Sequence, residues 1–527
     1  MDASRRPAAF WVFAWILLTA LPLTLRPLMP VDETRYTSVA WEMWIRGDFL
    51  VPHLNGLPYS DKPPLLFWLM TAGWRVLGVN EQWPRLIPSL FALLNLFLTA
   101  ALARRLWPDR PAVSQAAPAV LLGFLLWSVF TGMLMFDMLV ACSVLLALLG
   151  LHAAWTRGGW LPWLQVGTAM GLGLLAKGPV ALLPPLLVAV LAPWWGGRRP
   201  PAGWWLGIAA AVAVGGAIAL AWALPAARAG GPEYANAILF SQTEERMVNS
   251  FAHRRAWWWY LAMLPVLLFP YSFWPPLWRA VGRLRAADAG TRFCLAWALP
   301  ALAVFSAVSG KQPHYLLPLL PACALLAARL LDDPALVFRR RHAVPATAVL
   351  LLVAAILVLA PLLARDAEIK AWTERLWPLA GVLLGLAALA CVFLFDRIFP
   401  RWAAAPSLLS VLLVAGLYAG GSGAFRKAYD IRPVALYLAE VQRQGLPIAY
   451  VGPYHGELHF LGRLERPFEV INAGGERLWL ARHPDGKVVQ ELDTLPYGIG
   501  AAELTHPYRT EVLAVWGKES LHPYPSS

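Results

Sequence analysis

The sequence predicts a polytopic all-α membrane protein with a small C-terminal α/β domain outside the membrane. Of its 527 residues, 59% are hydrophobic and 14% are charged, which is more apolar surface than a soluble domain can bury. Apolar runs of membrane-spanning length recur along the chain as far as Gly423, after which charged residues, glycines and prolines become more frequent. We therefore expect a membrane domain over residues 1–423 and an extramembrane domain over residues 424–527.

The apolar runs predict about 13 transmembrane helices. They lie near residues 9–29, 86–103, 116–136, 138–155, 161–176, 179–195, 203–225, 257–278, 293–308, 313–331, 344–364, 376–396 and 404–423. The first run follows Arg5 and Arg6, has no convincing cleavage site and is interpreted as an anchored helix rather than a signal peptide.

Arginines at the ends of these runs predict the orientation of the chain. Seven arginine-bearing segments fall on one side of the membrane under a count of thirteen, and the positive-inside rule makes that side cytoplasmic. The segments are Arg5-Arg6, Arg104-Arg105, Arg157, Arg198-Arg199, Arg279 with Arg283 and Arg285, Arg339 to Arg341, and Arg397 with Arg401. The loop 30–85, the loop 226–256 and the C-terminal domain then share the opposite face, which is periplasmic in the inner (cytoplasmic) membrane of a bacterium.

Composition also excludes several classes of function. The net charge of +13 is largely arginine at helix ends, so it predicts membrane topology and contact with anionic headgroups rather than nucleic-acid binding. The four cysteines form no CxxC pair, and no P-loop or Rossmann fingerprint is present. The sequence specifies no cofactor, and it leaves the participation of a divalent metal ion open.

Short patterns predict the elements of the C-terminal domain. An amphipathic helix is expected over Pro433 to Gln444. Strands are expected at residues 448–451, 468–471 and 512–515.

The loop 30–85 carries the densest group of candidate functional residues. A helix that lies along the membrane interface is expected from Thr34 to Arg46, because its apolar residues recur at helical spacing. Asp32 and Glu33 precede it, and Asp32 could be its N-cap, a functional carboxylate or both. Lys62 stands before two prolines that restrict the backbone, which favours either a fixed charge for a phosphate or a lysine at headgroup level.

An ordered set of segments resembles one known family. They are Val31 to Tyr36, the Asn55-Gly56 turn, Tyr59-x-x-Lys62-Pro63, Leu174 to Pro179, and Ser309 to Pro318. This set resembles the aminoarabinose (lipid A) transferase and protein O-mannosyltransferase-like group of GT-C glycosyltransferases, which use polyprenyl-phosphate sugars. The C-terminal domain resembles the family only in position and general character.

The resemblance implies roles for ten residues. Asp32 matches the key catalytic acid, with Glu33 its neighbour. Contacts to the donor phosphate or lipid are implied for Tyr36, Tyr59, Lys62, Arg246, Tyr315 and Lys311, although Lys311, like Lys177, could instead be an end-of-helix anchor. Sugar or acceptor contacts are implied for Asp137 and His253. The run 242–245 departs from the acidic-histidine pattern of the family, which leaves sugar-side and metal contacts open.

The resemblance implies transfer of a sugar from a polyprenyl-phosphate carrier to a lipid or glycan acceptor in the cell envelope, with aminoarabinose transfer to lipid A phosphate as the expected reaction. A protein O-mannosyltransferase-like enzyme with a hydroxyl acceptor is the alternative within the family. A lipid-linked sugar transporter or flippase is the alternative outside it, although transporters more often place ionisable residues in mid-span. A noncatalytic scaffold would leave the arrangement of Asp32 and Lys62 unexplained.

Overall fold

A computed structural model describes residues 6–241, 254–282, 287–365, 370, 373–393, 406–493 and 502–520. Its long segments are helical, as the apolar runs predict. The helices are α1 Arg6–Leu25, α2 Asp32–Arg46, α3 Leu65–Leu77, α4 Gln82–Leu106, α5 Pro111–Gly123, α6 Leu125–Phe130, α7 Asp137–Arg157, α8 Leu161–Lys177, α9 Leu183–Val190, α10 Ala192–Gly196, α11 Trp204–Asn236, α12 Trp259–Leu267, α13 Pro275–Val281, α14 Ala289–Ala307, α15 Leu320–Leu331, α16 Val344–Leu363, α17 Pro378–Phe393, α18 Ser407–Tyr429, α19 Arg432–Arg443, α20 His459–Gly462 and α21 Glu476–Arg482.

Seven helical stretches among the described residues are long and apolar enough to cross a membrane. They are Gln82–Leu106, Asp137–Arg157, Trp204–Leu239, Ala289–Ala307, Pro313–Leu331, Val344–Leu363 and Ser407–Arg443. Four further apolar helices among the described residues are shorter, at Phe10–Leu25, Leu65–Leu77, Pro179–Val190 and Pro378–Phe393. The predicted span 116–136 is divided between α5 and α6, which meet at an extended Phe124. The chain is thus a multi-pass membrane protein.

The C-terminal residues form a five-stranded mixed sheet, which confirms an α/β fold there. The hairpin strands β1 His53–Leu54 and β2 Leu57–Pro58 come first in the chain, and the sheet strands are β3 Ile448–Val451, β4 Glu469–Ile471, β5 Lys487–Leu492, β6 Leu504–Tyr508 and β7 Glu511–Trp516. The strand order is β4-β3-β5-β7-β6, with β3 parallel to both neighbours and β7 antiparallel to both of its own. Three strands and helix α19 were predicted within two residues, whereas β5 and β6 were not predicted.

The chain divides into two compact units that do not follow the linear order of the predicted domains. Unit 1 comprises Met1–Thr24, Asp61–Leu66 and Pro84–Gly420. Unit 2 comprises Leu25–Ser60, Phe67–Trp83 and Gly421–Ser527. Most of the loop 30–85 therefore belongs to the same unit as the C-terminal sheet.

Candidate functional site

Asp32 is the first residue of α2 and belongs to a polar cluster in unit 2. One of its carboxylate oxygens, Oδ1, accepts hydrogen bonds from the Arg35 guanidinium at 2.5 Å and from the Tyr36 hydroxyl at 3.1 Å. The N-cap position is held by Val31, and no side chain caps the helix, so the predicted N-cap role of Asp32 is wrong. Residues three and four positions apart share one face of a helix, which is why these side chains meet. The Asp32 side chain is 47% exposed, so the carboxylate remains accessible.

Two tyrosines lie beside this ion pair. Tyr36 and Tyr59 are both buried, and each ring packs against Phe67, with centroids 6.5 and 6.3 Å away. Burial, reinforced by the negative charge of Asp32, raises the pKa of Tyr36 well above its ordinary value. Its hydroxyl therefore stays protonated and can act as a hydrogen-bond donor at neutral pH. The structure thus brings together three predicted site residues: Asp32, Tyr36 and Tyr59.

Glu33, predicted beside Asp32 as a catalytic acid, has a different environment. Both of its carboxylate oxygens accept from Arg26, at 2.5 and 2.7 Å, and one also accepts from the backbone N–H of Met29 at 2.8 Å. The side chains of Arg26 and Glu33 are only 2% and 3% exposed. A bidentate buried pair of this kind holds the segment before α2 in place. Arg26 was not predicted, because a single arginine at the end of an apolar run carries no pattern.

The Asn55-Gly56 turn is the tip of a two-stranded hairpin. Asn55 and Gly56 have φ values of 52° and 81°, the left-handed conformation that a two-residue hairpin turn requires. Their backbone N–H groups both donate to the buried carboxylate of Glu42. The Asn55 side chain also donates to the Phe468 carbonyl at 3.0 Å and accepts from the Phe468 N–H at 2.7 Å. This turn therefore ties α2 to the C-terminal part of unit 2.

Helix α2 is covered by protein along most of its length, and its position at the membrane interface stays a prediction. All residues from Glu33 to Met43 except Arg35 are buried. The Ser38 hydroxyl donates to the Gly456 carbonyl at 2.5 Å, and the Trp41 indole donates to the Leu464 carbonyl at 2.8 Å. These two side chains are thus satisfied by residues more than four hundred positions away, which no local pattern indicates.

Arg35 and Glu457 are further polar members of this part of unit 2. Burial raises the pKa of the Glu457 carboxyl, and the positive charges of Arg35 and Arg509 oppose that shift. The spacing of Arg35 three residues after Asp32 is a signal that could have identified it as the partner of Asp32. Glu457 has no such signal, because only the fold brings it within electrostatic range of Arg35.

In unit 1, Asp137 and Lys177 form a buried ion pair. Asp137 is the first residue of α7 and Lys177 is the last of α8, so each charge lies at the helix end whose dipole favours it. The Lys177 ammonium donates to Oδ1 of Asp137 at 2.6 Å. The second oxygen, Oδ2, is buried without a hydrogen-bond partner among the described residues. This oxygen is a preformed acceptor for a donor group that the described residues do not supply.

Tyr315 joins the same group. It lies in the 3₁₀ turn Pro313–Leu319, which packs against α7, and the Lys177 ammonium lies 4.8 Å from the centre of its ring. Tyr260 is fully buried nearby and donates to the Gln312 carbonyl at 3.0 Å, which holds the start of this turn. Two predicted residues, Asp137 and Tyr315, are thus connected through Lys177.

The two other lysines of the predicted site differ from Lys177. Lys311 is 3% exposed, and its ammonium donates to the carbonyls of Arg255 and Val308. This arrangement matches the anchoring alternative, because the lysine ties the segment after residue 253 to the start of the next helical turn. Lys62 is partly exposed three residues before α3 begins, and its ammonium lies 3.4 Å from the Asp61 carbonyl.

Arg246 and His253 lie outside the described residues. Within the described ranges, no three His, Cys, Asp or Glu residues are grouped in a way that could hold a metal ion.

An apolar groove of about 330 Å³ follows Lys177 along the chain in unit 1. Its lining residues all come from the segment 179–190 and are Pro179, Leu182, Leu183, Leu186, Leu187 and Val190. The groove therefore begins two residues after the Asp137–Lys177 pair. A wholly apolar groove beside a charged pair suits an amphiphile with a charged head and a hydrocarbon chain.

Comparisons with known proteins agree with the fold and with the family resemblance. The family model for dolichyl-phosphate-mannose-protein mannosyltransferase matches residues 61–222. A crystal structure of ArnT from Cupriavidus metallidurans bound to undecaprenyl phosphate superposes with a TM-score of 0.78 at 21% identity, and covers 99% of this chain and 100% of that one. This likeness establishes a GT-C fold for the chain.

Two sequence relatives extend over nearly the whole chain. Undecaprenyl phosphate-alpha-4-amino-4-deoxy-L-arabinose arabinosyl transferase 1 of Pseudomonas fluorescens is 30% identical over 499 residues, which is 93% of this chain and 86% of the relative. The corresponding transferase of Pseudomonas aeruginosa is 31% identical over 520 residues, with coverage of 97% and 89%. The chain therefore belongs to the undecaprenyl phosphate-alpha-4-amino-4-deoxy-L-arabinose arabinosyl transferase family of membrane-embedded glycosyltransferases.

Proposed function

We propose that this protein transfers 4-amino-4-deoxy-L-arabinose from undecaprenyl phosphate to a phosphate of lipid A at the periplasmic face of the bacterial inner membrane. Full-length similarity to two transferases of this name supports the choice of donor and sugar. The observation that carries the proposal is the buried Asp137–Lys177 pair, whose second carboxylate oxygen has no partner in the described part of the chain, next to an apolar groove. A lipid-linked sugar has the same combination of a polar head and a hydrocarbon chain.

The donor contacts follow from charge and polarity. The groove along residues 179–190 would hold part of the polyprenyl chain, and Lys62 and Arg246 would neutralise the phosphate that leaves with it. The hydroxyls of Tyr59 and Tyr315 would donate hydrogen bonds to phosphate or sugar oxygens, and that of Tyr36 would do so by exchanging its bond to Asp32 for one to the ligand. Lys311 would contribute indirectly, through the backbone that it anchors.

The reaction would be a direct displacement with inversion at the anomeric carbon. An oxygen of the acceptor phosphate forms the new bond to that carbon, while the bond to the carrier phosphate breaks and undecaprenyl phosphate departs with the bonding electrons. A phosphate acceptor is largely ionised near neutral pH, so no strong base is required. Asp32, held by Arg35, would then orient the sugar or the acceptor, and Asp137 would accept a hydrogen bond from a sugar hydroxyl or amine. Glu33 would act as a positioning residue through Arg26.

The proposed topology is the one with thirteen spans. It places residues 1–423 in the membrane as the catalytic domain and residues 424–527 in the periplasm. The loop 30–85 and Lys177 then share the periplasmic face, where undecaprenyl-linked donors and lipid A can both be reached.

A peptide or protein hydroxyl is the second candidate acceptor. The match of the mannosyltransferase family model to residues 61–222 favours it. With a hydroxyl acceptor, Asp32 would serve as a general base, because an alcohol must lose its proton as it attacks. A transporter of lipid-linked sugar is the third candidate, and it would move the donor without consuming it.

Mass analysis of lipid A distinguishes these candidates. The full-length protein is expressed in a bacterium that lacks its own aminoarabinose transferase but makes the donor. We expect an aminopentose on lipid A with the wild type and none with Asp32→Asn. Asp48→Asn serves as a matched control from the same unit, because the Asp48 carboxylate accepts from the backbone N–H groups of Leu50 and Val51 in its own turn. Unmodified lipid A with glycosylated envelope protein would favour the hydroxyl acceptor, and an undiminished donor pool would favour transport.

A further inference from the structure

A second concave site lies within unit 2, at the C-terminal end of α2. It is a cleft of about 670 Å³, within the range of small-molecule sites. The side chains that give it chemical character are Trp41, Glu42, Trp44, Arg46, His459 and Glu465. None of these residues belongs to the site proposed for the transfer reaction.

The inner wall of the cleft is rigid. Glu42 accepts from the backbone N–H groups of Asn55 and Gly56, so its carboxylate cannot turn away. The Trp41 indole is fixed by its 2.8 Å hydrogen bond to the Leu464 carbonyl. Each carboxylate oxygen of Glu42 keeps acceptor capacity beyond these bonds. Walls that are ordered before a ligand arrives reduce the entropy lost on binding.

The ionisable side chains of the cleft favour ligands that donate hydrogen bonds. His459 is buried, its ring lies 2.6 Å from the Tyr454 hydroxyl oxygen, and burial lowers its pKa to about 4, so the ring is neutral at pH 7. The remaining charges are the carboxylates of Glu42 and Glu465 and the guanidinium of Arg46. The Arg463 guanidinium also lies 5.4 Å from the centre of the Trp41 ring, and the two carboxylates accept well from hydroxyl and ammonium groups.

The aromatic residues narrow the ligand class further. Trp44 is partly exposed at the cleft and packs edge-on against Trp74, with ring centroids 6.3 Å apart. An indole offers an apolar surface to the carbon face of a ligand, while neighbouring polar groups meet its hydroxyls. This combination of an aromatic surface, carboxylates and one guanidinium suits a saccharide.

The position of the cleft along α2 distinguishes the transferred sugar from another saccharide segment of the substrates. Trp44 follows Asp32 by twelve residues in one uninterrupted helix, and a rise of about 1.5 Å per residue separates them by about 18 Å. A sugar that occupied the cleft could not be the one transferred at Asp32. We propose that the cleft binds a saccharide segment of the acceptor that is rich in hydroxyl or amino groups and remote from the reacting phosphate. This inference rests on the proposed function, because it requires a glycolipid acceptor.

Glu465 provides the test, because it is exposed and its replacement does not threaten the fold. Binding of the lipid-free saccharide from deacylated lipopolysaccharide to the full-length protein in nanodiscs is measured by calorimetry. We expect Glu465→Lys to weaken binding about tenfold, since a charged hydrogen bond is lost and a like charge faces any amine. The control is Asp485→Lys, which makes the same change of charge at an exposed residue of unit 2 outside the cleft, and which should bind like the wild type.

A kinetic measurement separates this inference from the proposed function. For an acceptor that carries its full saccharide, Glu465→Lys should raise KM about tenfold with kcat unchanged, and for an acceptor truncated to the lipid A disaccharide neither constant should change. Equal changes for both acceptors, or no binding of the free saccharide by the wild type, would overturn the inference. If the wild type binds the saccharide through Glu465 but modifies neither acceptor, the proposed function fails and the cleft assignment stands as saccharide binding alone.

Discussion

Replacing Lys177 by methionine tests the buried ion pair of unit 1. The Asp137 side chain is 3% exposed and that of Lys177 is 13% exposed, with 2.6 Å between the ammonium and Oδ1. The variant leaves the Asp137 carboxylate buried without its counter-charge. Loss of one partner from a buried pair typically costs about 3–5 kcal/mol of stability. We expect a clear decrease in the melting temperature of Lys177→Met.

The size of the expected loss of stability follows from the distance and the burial of the two charges. Two unit charges 2.6 Å apart attract by about 6 kcal/mol at an effective dielectric constant of about 20, and the cost of desolvating both ions offsets much of this. The reverse variant, Asp137→Asn, should lose less stability, because the flexible lysine is partly exposed and can turn its ammonium toward water. The double variant, Lys177→Met with Asp137→Asn, should recover most of what Lys177→Met loses.

The assay combines thermal unfolding in detergent with transfer activity measured well below every melting temperature. If Asp137 contacts the donor or the acceptor, the double variant regains stability but not transfer, and kcat stays at least about a hundredfold below that of the wild type. Wild-type activity in the double variant would refute a role for the pair in the reaction. Unchanged melting of Lys177→Met would refute the argument from burial.

Three further predictions concern unit 2. Arg26→Met should cost about 3–5 kcal/mol, because Glu33 is then buried without a partner, and Glu33→Gln in the same protein should restore most of it. Gly56→Ala should cost about 1–2 kcal/mol, since φ is +81° and the added Cβ would lie 3.3 Å from Pro467. Burial and a hydrogen bond with Glu511 raise the pKa of the Glu491 carboxyl to about 7. Between about pH 4.5 and 7 the folded protein therefore keeps a proton that the unfolded chain has released. The free energy of unfolding falls as the pH rises through this range. Glu491→Gln should therefore stabilise the protein at pH 8 by about 1–2 kcal/mol, after allowance for solvent screening, and have little effect at pH 4.

Thermal melts of the full-length variants over a range of pH check all three. Equal melting temperatures for Arg26→Met with and without Glu33→Gln would show that the pair is not coupled. A neutral Gly56→Ala would contradict the geometry of the turn. A stabilisation by Glu491→Gln that is constant with pH would exclude titration of Glu491 as its cause.

Local patterns predicted the elements that depend on neighbouring residues. The helical period of the loop predicted α2 to within two residues at its start, and the Asn-Gly pair predicted the turn at residues 55 and 56. The placement of Asp137 and Lys177 at the ends of apolar runs was also visible, because a charge is costly inside a membrane span. These features follow from spacing and polarity alone.

Contacts between distant residues were not predictable in the same way. The Asp137–Lys177 pair joins residues forty positions apart, and Ser38 meets Gly456 across more than four hundred. Val31 rather than Asp32 occupies the N-cap position of α2. The Asp32 carboxylate accepts hydrogen bonds from the side chains of Arg35 and Tyr36 instead of from a backbone N–H group.

The sequence by itself determined the class of protein, the order of its helices, the family and the candidate acids and lysines. Each of these follows from amino-acid composition, hydrophobic periodicity or short sequence motifs. Only the tertiary structure separated Asp32, which stays accessible, from Glu33, which Arg26 sequesters, although the two are adjacent and chemically alike. It also distinguished Lys177, paired with a buried carboxylate, from Lys311, bonded to carbonyls. The physical reason is that the role of a charged group depends on its partner and its burial, and both are decided by residues far away in the chain.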